Sequence, residues 1–366
     1  MKTITGFFRR EPVLSVAALA AAASCFLVPP DRAYLGYLDL RTLTLLYTLM
    51  LVVEGLRGAG VFERMAHAAC RRAGTVREMG LLLTALTFFS AMLITNDVAL
   101  LTFVPFALLL PGMAERRREL LFIVVLQTVA ANLGSMLTPV GNPQNLYLYS
   151  RYALSVWDFL AVTLPFWCVS LALLLLLCLL LPRSPMTRPD AAAPGVDRRR
   201  LCLYGALLAL CLLAVFRVID WPLLLALFVA ALLVFDRGML LRADFMLLLT
   251  FVAFFVFAGN LARLDALSRL LRQLLSGREY LTALLTSQII SNVPAALLLS
   301  GFTDNARELL LGVDVGGLGT PVASLASLIS LRLYSRAEGA ETGRYLLVFT
   351  LVNLGMLAAL SAVRLL

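Results

Sequence analysis

Two long apolar segments that are broken in mid-run, each followed by a second broken run, constrain this chain more than any other feature. Gly80 to Leu110 is interrupted at Thr95-Asn96-Asp97, and Tyr280 to Phe302 at Ser291-Asn292-Val293-Pro294. Each reads as two short helical arms meeting at a polar tip. The following runs, Leu120 to Tyr149 and Leu309 to Leu333, are broken across Asn132 to Asn145 and across Gly316 to Pro321. Backbone left unpaired in hydrocarbon costs several kcal/mol per group, so such breaks survive there only where buried protein or a wet cavity satisfies them. The breaks therefore point to a site.

Hydrocarbon is the expected solvent because 61% of the 366 residues are hydrophobic and only 14% charged, with a mean hydropathy of +0.91. A soluble domain does not carry that load. At about 20 apolar residues per span, little chain remains for a soluble domain, which excludes a multidomain cytoplasmic enzyme. Seven further runs, 13–28, 38–56, 157–181, 201–217, 220–235, 243–261 and 343–363, read as plain spans. The first follows Lys2, Arg9 and Arg10 and contains Ala22-Ala23-Ser24-Cys25, a faint likeness to a lipoprotein cleavage site. An uncleaved first span is the expectation, because long apolar stretches follow.

Basic residues outnumber acidic ones by 31 to 22. They fall between apolar runs, where they set orientation and give no sign of a nucleic-acid partner. With the N-terminus cytoplasmic and each broken hairpin re-entrant, segments 57–77, 116–118, 183–200, 237–242 and 332–344 all become cytoplasmic. About 21 of the 31 basic residues then lie inside. Arg263, Arg269, Arg272 and Arg278 are the exceptions. The six cysteines form no CxxC or Cys/His cluster, so neither a disulfide framework nor a zinc site is expected.

Motif order indicates a duplication. Asn96, Arg118-Glu119-Leu120-Leu121, Thr138-Pro139-Val140 and Leu148-Tyr149-Ser150-Arg151 recur as Asn292, Arg307-Glu308-Leu309-Leu310, Thr320-Pro321-Val322 and Leu333-Tyr334-Ser335-Arg336. The expected organisation is an N-terminal repeat at 1–181 (hairpin 78–111, broken helix 118–150), a cytoplasmic linker at 182–200, and a C-terminal repeat at 201–366 (hairpin 279–303, broken helix 307–333). Each hairpin follows an amphipathic segment, with Val61, Phe62, Met65 and Ala69 on one apolar face and Leu264, Leu267, Leu271 and Leu274 on the other. The first segment lies inside and the second outside, so the repeats are inverted, as in alternating-access carriers.

Half-helix N-termini suit an anion, whereas unwound carbonyls with Asn and Thr oxygens suit sodium. The expected substrate ligands are Asn96, Asp97, Ser135, Thr138, Asn142, Asn292, Thr320 and Pro321. The expected cation ligands are Thr95, Asn96, Gly134, Ser291, Asn292, Gly316 and Gly317, with sodium the only metal ion anticipated and no cofactor. Asp97 reads either as a proton or sodium carrier or as a cap for the second arm. Glu54 is expected to pair with Arg57. The one histidine, His67, is expected in a surface pair with Glu63.

The tips, the stretch Thr138-Pro139-Val140-Gly141-Asn142-Pro143-Gln144-Asn145, and the pattern from Asp39-Leu40-Arg41-Thr42-Leu43 through Gly60-Val61-Phe62 resemble the ion transporter superfamily. That group includes citrate transporters, divalent-anion/sodium symporters, arsenite permeases and sodium/proton antiporters, and the likeness is greatest to a bacterial anion permease branch. The resemblance implies an all-α polytopic membrane protein of about nine spans, two re-entrant hairpins and two unwound helices. It also implies an elevator mechanism, a homodimer and a bacterial inner-membrane location. Dicarboxylate members carry Ser-Asn-Thr at each tip; here Asp97 and Val293 replace the final Thr and remove a carboxylate-binding hydroxyl. The leading expectation is secondary transport of a small anion, carboxylate or inorganic oxyanion, coupled to sodium or proton. The alternatives are a sodium/proton antiporter using Asp97 and an arsenite-type permease. The chain has no GxxxxGK[ST] nucleotide loop, HExxH motif or other catalytic constellation, so no enzyme is expected.

Overall fold

The computed structural model describes residues 11–110, 113, 115–186 and 194–365. Lys2, Arg9 and Arg10, and positions 187–193 of the anticipated linker, lie outside the described residues. The described chain is helical, with one isolated bridge between Thr75 and Pro185. In order, the helices are α1 Pro12–Leu27, α2 Leu40–Gly58, α3 Val61–Arg72, α4 Val76–Ile94, α5 Asn96–Leu108, α6 Arg117–Gly134, α7 Pro143–Arg151, α8 Val156–Cys178 and α9 Arg198–Val215. They continue with α10 Trp221–Phe235, α11 Phe245–Ala262, α12 Asp265–Leu275, α13 Glu279–Ile290, α14 Asn292–Leu299, α15 Ala306–Val315, α16 Leu325–Ser335 and α17 Thr342–Arg364.

Short polar residues start these helices by supplying an acceptor to the first turn's free N–H groups. Asp39 accepts from Thr42 N at 2.9 Å, Asp244 from Leu247 N at 3.0 Å, and Asn142 from Asn145 N at 2.9 Å ahead of Pro143. Ser155 and Asp158 form a reciprocal capping box at the start of α8.

Five helical stretches are long and apolar enough to cross a bilayer: Val76–Ile94, Arg117–Leu137, Val156–Cys178, Phe245–Ala262 and Thr342–Arg364. The pair α2 and α3, bent by 52°, makes a sixth when counted together. Three expected plain spans fall short of this test, each for a physical reason: α9 spends its first turn on Arg198, Arg199 and Arg200, and the other two are short. Helices α1 and α10 have 16 and 15 residues, or about 24 and 22 Å at 1.5 Å per residue. The multi-pass character therefore rests on fewer full-length helices than the apolar runs suggested.

Helices α1 and α11 pack together, α2 packs on α9 and α10, and α4 and α5 both pack on α6. In the second half α13 and α14 pack on α15. Among the packings that join the two halves, each hairpin meets the broken helix of the other: α5 lies on α16, and α14 lies on α7.

The Arg-rich segments touch one another in a continuous chain. Met186 N donates to Gly74 O at 3.0 Å, Asp197 N to Ala59 O at 3.0 Å, and Arg116 Nη2 to Pro185 O at 2.9 Å. Arg200 pairs with Asp236 at 3.9 Å, and Arg117 lies against Gly339. Segments 57–77, 116–118, 183–200, 237–242 and 332–344 thus gather at the end of the molecule to which α2 delivers Arg57.

Glu54 does pair with Arg57, at 3.9 Å. His67 corrects the surface assignment: it is buried on α3 with Phe62, Ala66 and Cys70. Met65 is exposed, so the inner face of α3 is rotated from the expected one. Helix α12 keeps more of its expected face: Leu267 and Leu271 pack against the core, whereas Leu274 is about half exposed and Leu275 is the residue it buries fully.

Candidate functional site at the two helix breaks

The first break falls at Thr95 between α4 and α5, and the second at Ser291 between α13 and α14. Thr95 has φ 69° and ψ 154°; Ser291 has φ 75° and ψ 156°. This region belongs almost wholly to glycine and costs other residues about 1–3 kcal/mol. Two side-chain-bearing residues in one rare conformation must be held there by their surroundings.

The hydrogen bonds around the tips are matched. Asn96 Oδ1 accepts from Asp97 N at 3.0 Å, and Asn292 Oδ1 accepts from Val293 N at 3.0 Å. Behind the first tip Thr138 Oγ1 donates to Met92 O at 2.5 Å, and behind the second Thr320 Oγ1 donates to Gln288 O at 3.2 Å. Each acceptor carbonyl lies three residues ahead of its break. Asn96 N donates to Gly141 O at 3.2 Å, while Ser291 Oγ donates to Ala323 O at 3.3 Å.

The second broken run of each half supplies the partners across the middle. Helix α6 ends at Gly134, passes through a 3-10 turn at Ser135–Leu137, and resumes as α7 at Pro143. Helix α15 ends at Val315, passes through a 3-10 turn at Pro321–Ala323, and resumes as α16. Gly134 is needed where α6 meets α4, because a Cβ there would sit 2.1 Å from the Phe88 carbonyl oxygen. Gly317 lets the Asn292 amide approach, since a Cβ would sit 2.9 Å from its Nδ2.

Asn132, in the last turn of α6, makes three side-chain hydrogen bonds. Its Oδ1 accepts from Asn96 Nδ2 at 3.2 Å and from Ser324 Oγ at 2.9 Å, and its Nδ2 donates to Ser327 Oγ at 3.1 Å. Asp314, in the last turn of α15, is also buried, at 3% exposure. Gln144 Nε2 reaches its Oδ1 at 3.5 Å, and Asn145 and Asn142 stand beside it. Its Oδ2 is buried without a hydrogen-bond partner.

Two spaces open at this junction. Asn96, Asn292, Gln144 and Ser324 enclose about 20 Å³, room for about one water-sized group. Beside the first tip lies a cavity of about 240 Å³, with Thr95, Asp97, Asn142 and Leu325 at its inner end and Glu54, Arg57, Arg242 and Asp244 at its mouth. A separate cleft of about 470 Å³ sits at the other end of α2, beside Asp39, Arg41, Tyr147 and Arg151.

The structure thus brings Asn96, Asp97, Asn292, Thr95 and Asn142 to these spaces. Ser135 is fully buried behind them, donating to Asn132 O at 2.9 Å and accepting from Asn142 Nδ2 at 3.1 Å. Gly134, Gly316, Gly317 and Ser291 are buried in the packing of the breaks. The hydroxyls of Thr138 and Thr320 are committed to main-chain carbonyls, Thr320 is exposed, and Pro321 opens the 3-10 turn. Asp97 does not cap α5: the side-chain acceptor in the first turn is Asn96 Oδ1, and Asp97 Oδ1 is buried without a partner. Among the described residues no arginine is buried, so no cationic side chain is fixed inside to neutralise Asp97, Asp314 or an anion.

Sequence reasoning singled out Asp97 as the mid-span acid and did not assign Asp314. The signal was present. Asp314 precedes Thr320 by six residues, as Asn132 precedes Thr138.

Paired helix breaks with asparagine tips and Thr-Pro-Val segments extend through most of the chain, and the sequence profile of the citrate transporter family matches residues 4–329. The chain belongs to this family. It is 33% identical over 316 residues to the inner membrane protein YbiR of Escherichia coli K12, covering 84% of each chain. It is 30% identical over 326 residues to the transporter MJ0456 of Methanocaldococcus jannaschii, covering 88% of each. A shorter similarity, 31% over 154 residues, joins 42% of this chain to 31% of the silicon efflux transporter LSI3 of rice. Membership makes the chain a membrane transporter.

Proposed function

We propose that this transporter is a secondary carrier that moves a small anion, carboxylate or inorganic oxyanion, on the free energy of sodium or proton entry. The observation that carries the reading is the junction itself, where Asn96 and Asn292 enclose one small space and each hairpin packs on the broken helix of the other half. In this reading the halves are inverted repeats, 1–181 and 201–366 about the 182–200 linker, with about nine spans and two re-entrant hairpins. The hairpins and broken helices travel as an elevator within a homodimer. The Arg-rich end faces the cytoplasm of a bacterial inner membrane, together with the N-terminus, so the cavity at Asp97 opens inward.

Coupling follows from charge. A buried anion costs far too much without a partner, and no arginine among the described residues is buried to serve. Cations entering with the substrate supply the missing charge, and each positive charge carried inward beyond the anion's own releases about 2.3 kcal/mol at about 100 mV. Proteoliposomes given radiolabelled citrate, succinate, sulfate, phosphate or arsenate, each with and without an inward sodium or proton gradient, test this. Saturable uptake of one anion that needs one of the gradients is the expected result; uptake of none overturns the reading.

A second reading draws on Asp97, whose negative charge repels a dianion, and on the partial similarity to a silicon efflux transporter. Here the cargo is a neutral hydroxylated solute such as silicic or arsenious acid, exported in exchange for a cation. A pure sodium/proton antiporter using Asp97 is its limiting case. Asp97→Asn abolishes proton-linked flux in either version and leaves sodium-linked anion uptake standing, which separates the two readings.

A further inference from the structure

We infer that Asp314 is the anionic ligand of a sodium-class cation site between the last turn of α15 and the start of α7, apart from the asparagine tips. The inference rests on the reading of the chain as a cation-driven carrier, and its grounds are local. Asn132 and Asp314 occupy the same register, six residues ahead of Thr138 and Thr320, and each faces the restarting helix of the other half. Asn132 meets Ser324 and Ser327 there, and its amide makes three hydrogen bonds. Asp314 meets Asn142 and Asn145, which hold the positions corresponding to those serines, four and seven residues after the threonine. Three amides, Asn142, Gln144 and Asn145, stand around its carboxylate, and the one that makes a hydrogen bond is Gln144, to Oδ1 at 3.5 Å.

Two oxygens are left without donors: Asp314 Oδ2 and Asn145 Oδ1 are both buried and unpartnered. Asn145 is fully buried and Asp314 is 3% exposed. Further oxygens lie close by, because Asn142 bonds Ser135 Oγ at 3.1 Å and Asn145 bonds Met136 O at 3.3 Å. A single proton satisfies one such oxygen, whereas a metal ion draws on several at once. Hard oxygen donors select a hard ion. One carboxylate, with no grouping of three His, Cys, Asp or Glu residues among those described, matches a monovalent charge better than a divalent one. The second half thus carries the charge and the first half the neutral amide.

The test needs no transported substrate. The purified full chain is unfolded by heat in detergent while sodium chloride replaces choline chloride at constant ionic strength. The wild type and Glu279→Gln, which removes a buried acid at the far end of α13, should show a saturable sodium-specific rise in the midpoint. Asp314→Asn should abolish that rise while folding in choline chloride, since an amide already sits at the matching position. Asn145→Ala, which keeps the charge, should weaken the apparent sodium affinity about tenfold or more. A wild type indifferent to sodium overturns the site, as does an Asp314→Asn protein that responds normally. Should Asp314→Asn fail to fold, unchanged sodium affinity in Asn145→Ala overturns it. Sodium-specific stabilisation without flux of any anion would remove the transport reading and leave this site standing.

Discussion

Asn96 Nδ2 donates to Asn132 Oδ1 at 3.2 Å, and the same oxygen accepts from Ser324 Oγ at 2.9 Å. One amide therefore ties a hairpin tip of the first half to the restarting helix of the second. Asn132→Ala strands two buried donors at once, at about 1–3 kcal/mol for each unsatisfied group. Unfolding by SDS in mixed micelles should show a loss within that range or above it. Ser324→Ala removes a single partner and should lose less; equal losses would mean that the bridge is not what Asn132 contributes.

Tight approach of α6 to α4 predicts a strong glycine effect. Gly134→Ala places a Cβ 2.1 Å from the Phe88 carbonyl oxygen, which only a backbone shift relieves, whereas a Cβ at Gly205 meets nothing within 4 Å. The first substitution should destabilise by about 1–3 kcal/mol. The second should stabilise by about 0.5–1 kcal/mol, because Ala is the better helix former. Opposite signs in one unfolding series are the expected outcome.

Backbone strain at the tips makes a less intuitive prediction. Thr95→Gly and Ser291→Gly remove a side chain from a conformation that only glycine adopts freely, so each should raise stability, by about 1 kcal/mol. Loss of the Ser291 bond to the Ala323 carbonyl, 3.3 Å long, offsets part of the gain at the second tip. Thr95→Gly should therefore gain more than Ser291→Gly in the same SDS titration.

An exposed ion pair joins the Arg32–Tyr37 turn to the end of α11: Arg263 Nη2 lies 2.8 Å from Asp31 Oδ2. The Arg263 hydrogen bond holds the Asp31 carboxyl below its ordinary 3.8. A lowered carboxyl contributes stability above its unfolded value and loses it as the pH falls toward the folded one. Asp31→Asn should leave the thermal midpoint near neutrality almost unchanged, because exposed pairs contribute little. It should flatten the fall of the midpoint below about pH 4, and an unaltered acid limb would show that the pair is idle.

Much of this arrangement is legible in the sequence because its signals are local. Thr95-Asn96-Asp97 and Ser291-Asn292 mark the breaks within a residue, and Thr138-Pro139 and Thr320-Pro321 mark the unwound runs. Legibility ends where the third dimension decides. Both threonine hydroxyls turn back to carbonyls behind the tips, which residue type alone does not reveal. His67 faces inward because α3 is rotated by about one position from its apparent apolar stripe. Asp314 lies at the end of a ten-residue helix, where an acid resembles an ordinary helix-end polar residue until Gln144 and Asn145 are folded against it.

The crossed packing of α5 on α16 and of α14 on α7 also bears on biogenesis. When the first half has left the ribosome, the faces of α5 and α7 that meet the second half are uncovered, because α16 begins 229 residues after α5 and α14 begins 149 residues after α7. The translocon can deliver the helices in order, but the junction closes only when the second hairpin arrives. Two separately synthesised halves should be unable to mature alone and yet be able to rescue each other in one membrane.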